Sequence, residues 1–157
     1  MRLAKGANLM TRIRRVMHPS DFSRASGAAF ARAVDLAKAN RAELIVAHVL
    51  APIILMMGDA YVPPRVFEDL EAAARAEGKK QLNRLLAKAR RAGVRARSML
   101  LEGIAHEQIV RAARSTHADL IVIGTHGRTG IAKMFLGSVA GRVVSSTRCP
   151  VMTVRGK

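Results

Sequence analysis

The chain has 157 residues, enough for a single domain to bury about two-thirds of its unfolded surface without a disulfide or a metal to hold it together. Half of the residues are hydrophobic and 24% are charged, a balance too apolar for a disordered chain. Lys and Arg number 27 against 11 Asp and Glu, a formal net charge of +16 that draws a protein toward polyanions at low salt.

Residues 1–10 carry Arg2 and Lys5 and contain no apolar run of signal-peptide length, so they are expected to form a disordered basic extension, with Met10 as an alternative start. Residues 11–157 then form the domain. Ile13 to Met17 is a short β-prone run closed by His18-Pro19, and Ser23 offers a hydroxyl N-cap for a helix reaching about Asn40. Phe30, Val34 and Ala37 share one face of that helix. Glu43 to Leu50 is a continuous apolar run, as in a central strand covered on both faces. Ala51 to Pro64, with three prolines and Gly58, reads as a long loop.

A second helix is expected over 65–91, with Phe67, Leu70, Ala74, Gly78, Leu82, Leu85 and Ala89 facing inward and a basic, solvated outer face. Gly93 suits its C-cap, Val94 to Leu101 a strand, and Ala105 to about Thr116 a third helix. Asp119 to Gly124 reads as another buried strand. A glycine-rich segment then leads to a helix beginning near Ser138, and Pro150 to Arg155 supplies a last strand.

Strands alternating with helices in this way predict a doubly wound α/β fold: an open five-stranded parallel sheet with helices on both faces. Ligands in such sheets bind beyond the carboxyl ends of the strands, where strand order reverses. The longest nearly uncharged stretch, Leu44 to Gly58, is shorter than the roughly 20 apolar residues of a membrane-spanning helix. The lone cysteine, Cys149, has no internal partner and reads as a small apolar residue in a reducing, cytoplasmic compartment. The five aromatic residues are Tyr61 and four scattered Phe, which offers no platform for stacking bases.

The segment Gly124-Thr-His126-Gly127-Arg128-Thr-Gly130 follows a buried strand, and Gly137-Ser138 opens a helix. Glycines admit a ligand without a Cβ in its path, and a helix N-terminus presents unpaired N–H groups to an anion. The parts fit a phosphate cradle with Arg128 and Lys133 beside it; they fit plain turns with solvated basic residues equally well. Neither the P-loop nor the dinucleotide fingerprint matches. Of the histidines, His48 reads as a hydrogen-bonded core residue, while His126 has a phosphate or a loop cap within reach. Asp21 is the one carboxylate placed firmly at the ligand end, with Glu102 a second candidate, so paired carboxylates for acid–base chemistry are missing.

The pattern Gly-x-x-Gly, nine residues, Gly-Ser/Thr is met by Gly124, Gly127, Gly137 and Ser138. In it the chain resembles the ATP-binding branch of the universal stress protein family. The resemblance extends to Val16-Met-His-Pro19-Ser20-Asp21-Phe-Ser23, Ala47-His48-Val49, Gly103-Ile-Ala-His106-Glu and Cys149-Pro150-Val151. It implies a Rossmann-like, adenine-nucleotide-binding fold in which Val49 meets adenine through its backbone. Pro19, Ser20 and Asp21 border the adenosine, Gly103 lies in the third-strand loop, and Asp21 is placed to meet a Mg²⁺ ion. Gly124, Gly127, Gly137, Ser138 and Val139 line the phosphates, with Arg128 as a neighbouring charge and His126 counted among the binding residues.

By the same resemblance the chain is an ATP-binding regulatory protein of the stress response, acting as a homodimer paired through Val151, Met152, Thr153 and Val154. Two other readings stand beside it: a slow Mg²⁺-dependent ATPase organised by Asp21, and a basic module binding nucleic acid or other polyanions without sequence preference.

Overall fold

In the computed structural model of the chain, residues 12–53, 61, 63–125 and 136–156 are described. The expectations for residues 1–10, for most of the Ala51–Pro64 loop, and for His126, Gly127, Arg128 and Lys133 lie outside these residues.

The elements run β1 (Arg15–Pro19), α1 (Arg24–Asn40), β2 (Glu43–Leu50), α2 (Pro64–Arg91), β3 (Ala96–Glu102), α3 (Ala105–Ser115), β4 (Leu120–Gly124), α4 (Ser138–Ser146) and β5 (Val151–Val154). The five strands form one sheet in the order β3-β2-β1-β4-β5, and every neighbouring pair is parallel. This is the doubly wound α/β fold expected. The chain winds outward from β1 in one direction to β3, then returns to place β4 on its other side, so the switch point lies between β1 and β4.

The apolar strands alternate two cores. Val16, Leu44, Val46, Leu120 and Val122 point to one face, where α1 contributes Ala29, Phe30, Ala33 and Ala37 and α2 contributes Leu82, Leu86 and Ala89. Met17, Ile45, Ile121 and Ile123 point to the other, under Ile109, Ala112 and Ala113 of α3 and Ala140 and Val143 of α4. A two-residue side-chain period therefore explains why continuous apolar runs, and not alternating ones, mark β2 and β4.

Local signals place most boundaries. Ser23 caps α1 as expected, its hydroxyl accepting from Ser26 N at 3.2 Å. Gly93, just past the end of α2, has φ +81°, a conformation that costs glycine least. Three expectations need correction. Strand β1 does not close before His18-Pro19 but includes both, because the imidazole finds a buried partner far away in sequence. Strand β2 is interior, yet β1 is the middle strand of the five.

The third correction concerns α2. Gly78, Leu82, Leu86 and Ala89 are its buried residues, whereas Leu70 is 41% exposed and Leu85 only half-buried. The C-terminal part of the helix lies on β2 and β3, and its N-terminal part overhangs them. At Gly78 it packs tightly: an added Cβ would meet Leu100 Cδ1 at 3.1 Å and His48 Cδ2 at 3.4 Å.

Leu44, fully buried on β2, tests the two-core arrangement: Leu44→Ala should lower unfolding free energy by about 2–5 kcal/mol in denaturant titrations. A loss below the effect of an exposed-site control such as Leu70→Ala would place β2 outside the core.

Candidate functional site

Strands β1 and β4 pair through Val16↔Leu120 and Met17↔Ile121. Beyond that register a side chain takes over: His18, fully buried, donates from Nδ1 to the Val122 carbonyl at 2.9 Å. A carbonyl can only accept, so Nδ1 carries the proton. Burial lowers the His18 pKa to about 4, against smaller raising effects of the Val122 hydrogen bond and the Asp21 charge. The ring is therefore neutral near pH 7, and its Nε2 is an acceptor.

The proton directions of a buried chain follow from that tautomer. Ser26 Oγ lies 3.4 Å from Nε2 and donates to it. Ser20 Oγ, 2.8 Å from Ser26 Oγ, must then donate to Ser26, and it accepts from Phe22 N at 3.2 Å. The Ser20 carbonyl accepts from His48 Nδ1 at 2.7 Å, while the His48 ring lies 4.3 Å from that of Phe22. Phe22 itself sits at φ +62°. Asp21 closes the turn, its Oδ1 accepting from Ser23 N at 3.0 Å.

These contacts hold open one wall of a cleft of about 340 Å³ at the carboxyl ends of the strands. Of the residues expected at a site, Pro19, Ser20 and Asp21 come from the end of β1, Val49 from β2, Gly124 from β4, and Gly137, Ser138 and Val139 from the start of α4; all eight line this cleft. The α4 N-terminus opens into it without a side-chain cap, leaving first-turn N–H groups that an anion can satisfy.

Two expected glycines have structural reasons of their own. A Cβ on Gly124 would come within 3.1 Å of the Ala25 backbone, so the end of β4 needs glycine to pass under α1. Gly103 has φ +126° and lies outside the cleft, in a smaller groove shared with Leu50, Arg75 and Glu102. There the Glu102 carboxylate pairs with the Arg75 guanidinium, which directs it away from the cleft.

Sequence reasoning missed several lining residues: Ser26, Ala105, Ile109, Thr125 and Ala140. Ser26 and Thr125 had a signal, being small hydroxyl residues three positions beyond Ser23 and one beyond Gly124, which the sequence had already marked. His48 is both the core histidine expected and part of the lining. The cleft is apolar toward β2 and α3, at Ala47, Val49 and Ile109, and polar toward β1 and α4, at Ser20, Asp21 and Ser138. Such a division suits a ligand with a flat apolar end and an anionic end.

Asp119 lies at the opposite end of the sheet, its carboxylate accepting from Arg14 N at 2.7 Å and Arg15 N at 2.9 Å. Cys149 is half-buried and directs Sγ to the Ala118 carbonyl at 3.2 Å; burial, aided by the Asp119 charge, raises its thiol pKa. Among the described residues no group of three or more His, Cys, Asp or Glu could hold a metal ion. None of the helices there is long and apolar enough to cross a membrane.

Residues 12–155 match the family model described as the Universal stress protein family. The chain is 32% identical over 155 residues to universal stress protein MJ0531 of Methanocaldococcus jannaschii, covering 98% of this chain and 86% of that protein. It is 34% identical over 139 residues to universal stress protein YxiE of Bacillus subtilis, covering 86% and 94%. Among solved structures, UspA from Lactobacillus plantarum superposes with a TM-score of 0.79 at 26% identity, covering 92% of this chain and 99% of that one. A universal stress protein solved in complex with cAMP gives 0.70 at 25% identity, with 94% and 100% covered. One from Archaeoglobus fulgidus in complex with dAMP gives 0.63 at 25%, with 90% and 97% covered.

The buried imidazole makes stability depend on pH. Its folded pKa of about 4 lies below the ordinary 6.5, so the unfolded chain binds the proton more readily. The His18 contribution is intact above pH 6.5 and is lost as pH falls toward 4, an effect on the order of 3 kcal/mol. Denaturant midpoints at intervals across this window should fall with pH in the native chain and less steeply in His18→Gln. Equal slopes would show that His18 is not the group responsible.

Proposed function

Since the chain belongs to the universal stress protein family, we propose that it is a nucleotide-dependent regulatory protein whose ligand is ATP, bound with Mg²⁺ in the cleft between β1 and β4. The observation that carries this reading is the cleft itself: an apolar wall at Ala47, Val49 and Ile109 faces an uncapped helix N-terminus at Ser138. Adenine fits the first and phosphate the second. Relatives solved with cAMP and dAMP support the adenine end.

In this reading the Val49 backbone reads adenine, and Pro19, Ser20 and Asp21 flank the ribose. Gly124, Gly137, Ser138 and Val139 receive the phosphates, joined by His126, Gly127 and Arg128 from the glycine-rich segment; Gly103, outside the cleft, takes no part. Mg²⁺ is commonly held by one or two carboxylates together with phosphate oxygens and water. Asp21, the carboxylate in the described lining, suits that role, and the ion supplies neutralisation of phosphate charge. The serine chain ending at His18 fixes Ser20 before any ligand arrives, which lowers the ordering cost of binding. Occupancy is then the signal: ligand at one hundred times Kd stabilises the fold by about 2.7 kcal/mol.

The regulatory unit is a homodimer joined through Val151, Met152, Thr153 and Val154. Strand β5 is at the edge of the sheet and Met152 is 36% exposed. In the parallel ladder Val154 O accepts from Thr125 N at 2.9 Å. The alternation of a parallel strand therefore turns the Thr153 N–H outward, where a second copy can use it.

Denaturing the salt-washed protein should release an adenine nucleotide, or calorimetric titration with MgATP should saturate near one per chain. Ser138→Asp puts a carboxylate at the first helical position, which favours the helix but repels phosphate. It should abolish MgATP binding while leaving the melting temperature equal or higher; retained binding would move the phosphates elsewhere. Thr153→Pro, which removes the outward donor and spares the β4 pairing, should shift sedimentation from dimer to monomer. An unchanged sedimentation coefficient would exclude β5 as the joint.

A further inference from the structure

The opposite end of the sheet carries a second cleft, of about 400 Å³, lined by Arg12, Arg14, Arg15, Arg41 and Arg95 around the single carboxylate of Glu43. That carboxylate is already engaged: Arg15 Nε lies 3.8 Å from one oxygen and Arg97 Nε 3.1 Å from the other. No ion pair or side-chain hydrogen bond joins the guanidinium groups of Arg12, Arg14, Arg41 and Arg95 to a partner among the described residues. Four exposed arginines without such a partner thus line one polar hollow.

The arginines stand on fixed backbone. Arg14 O accepts from Glu43 N and Arg95 O from Leu44 N, both at 2.8 Å, and Arg15 O accepts from Asp119 N at 2.9 Å. Asp119 in turn holds Arg14 N and Arg15 N. Arg41 occupies the left-handed cap of α1 at φ +54°, where glycine or asparagine is the easier residue. A cation at that position faces the helix C-terminus favourably, yet the same dipole does nothing for Arg12, Arg14 or Arg95, which lie on strands and their approaches. Like charges gathered in this way repel one another, and a multivalent anion relieves the repulsion.

We propose that this cleft is a second binding site, distinct from the one between β1 and β4, for an anion carrying several phosphate groups in series. Arginine forks match phosphate oxygens in pairs. No aromatic side chain among the described residues lines the hollow, so recognition is of phosphate and not of base. The phosphates of a free polyphosphate and those of a nucleic-acid strand offer the same chemistry.

The probe is inorganic tripolyphosphate, titrated calorimetrically at near-physiological salt into the full chain and into Ser138→Asp, in which phosphate is repelled from the first cleft. Both should bind saturably. Arg41→Gly, which relaxes the backbone, and Arg95→Gln should each weaken binding about tenfold, as expected for one lost charge-assisted contact. Lys79→Gln with Lys80→Gln, on the exposed face of α2, removes two charges and should change affinity far less. Displacement of the tripolyphosphate by an oligothymidylate of about 20 nucleotides would identify a nucleic-acid strand as a source; failure to displace it would identify free polyphosphate. Absence of saturable binding, or equal losses in the lysine and arginine variants, would overturn the site.

Discussion

The hydrogen bond from His18 to the Val122 carbonyl is the contact on which the described architecture turns. It joins the two strands between which the sheet reverses, one step past their last register pair. Without it the ends of β1 and β4 would have either to continue pairing, which would close the cleft, or to part with a carbonyl left unsatisfied in the core, a cost of about 1–3 kcal/mol. A side chain spanning the gap allows the strands to diverge while the polar groups stay paired.

The same imidazole sets the wall of the cleft. Because its Nδ1 is committed to Val122, its Nε2 orders Ser26, and Ser26 orders Ser20. The hydroxyl at the cleft and the central strand are therefore parts of one hydrogen-bonded unit, and a neutral, buried ring is the condition for it. Burial that lowers the pKa is what keeps the ring neutral. Stability at acid pH and the arrangement of the β1 turn are two consequences of a single desolvated group.

Charge is divided between the ends of the sheet. At the carboxyl ends of the strands the described lining includes a helix N-terminus, hydroxyls and Asp21. At the other end the arginines lining the cleft outnumber Glu43, the one carboxylate in its described lining. Among the described residues the two clefts differ in chemistry: hydroxyls, Asp21 and backbone N–H groups line one, and arginines line the other.

The sequence by itself determined the fold class, because a parallel sheet buried on both faces demands continuous apolar runs. Glu43 to Leu50 is a strand over the range its residues predict. Ser23 and Gly93 mark the start of one helix and the end of another through local chemistry alone. Eight of the expected site residues meet in one cleft because they stand at strand ends, which a strand-helix alternation already orders.

Only the tertiary structure decided what depended on distant partners. Helical periodicity marks only roughly the inward face of α2, and not how far the sheet extends beneath it, so Leu70 is exposed, and Leu86 rather than Leu85 is buried. A His-Pro pair reads locally as a strand end, yet β1 runs through His18-Pro19 since the partner of His18 lies 104 residues away. Gly124 reads as a ligand position, while its lack of a Cβ also answers to the backbone of Ala25. In each case the deciding interaction joins residues far apart in the chain, and a local pattern carries no information about which of them will meet.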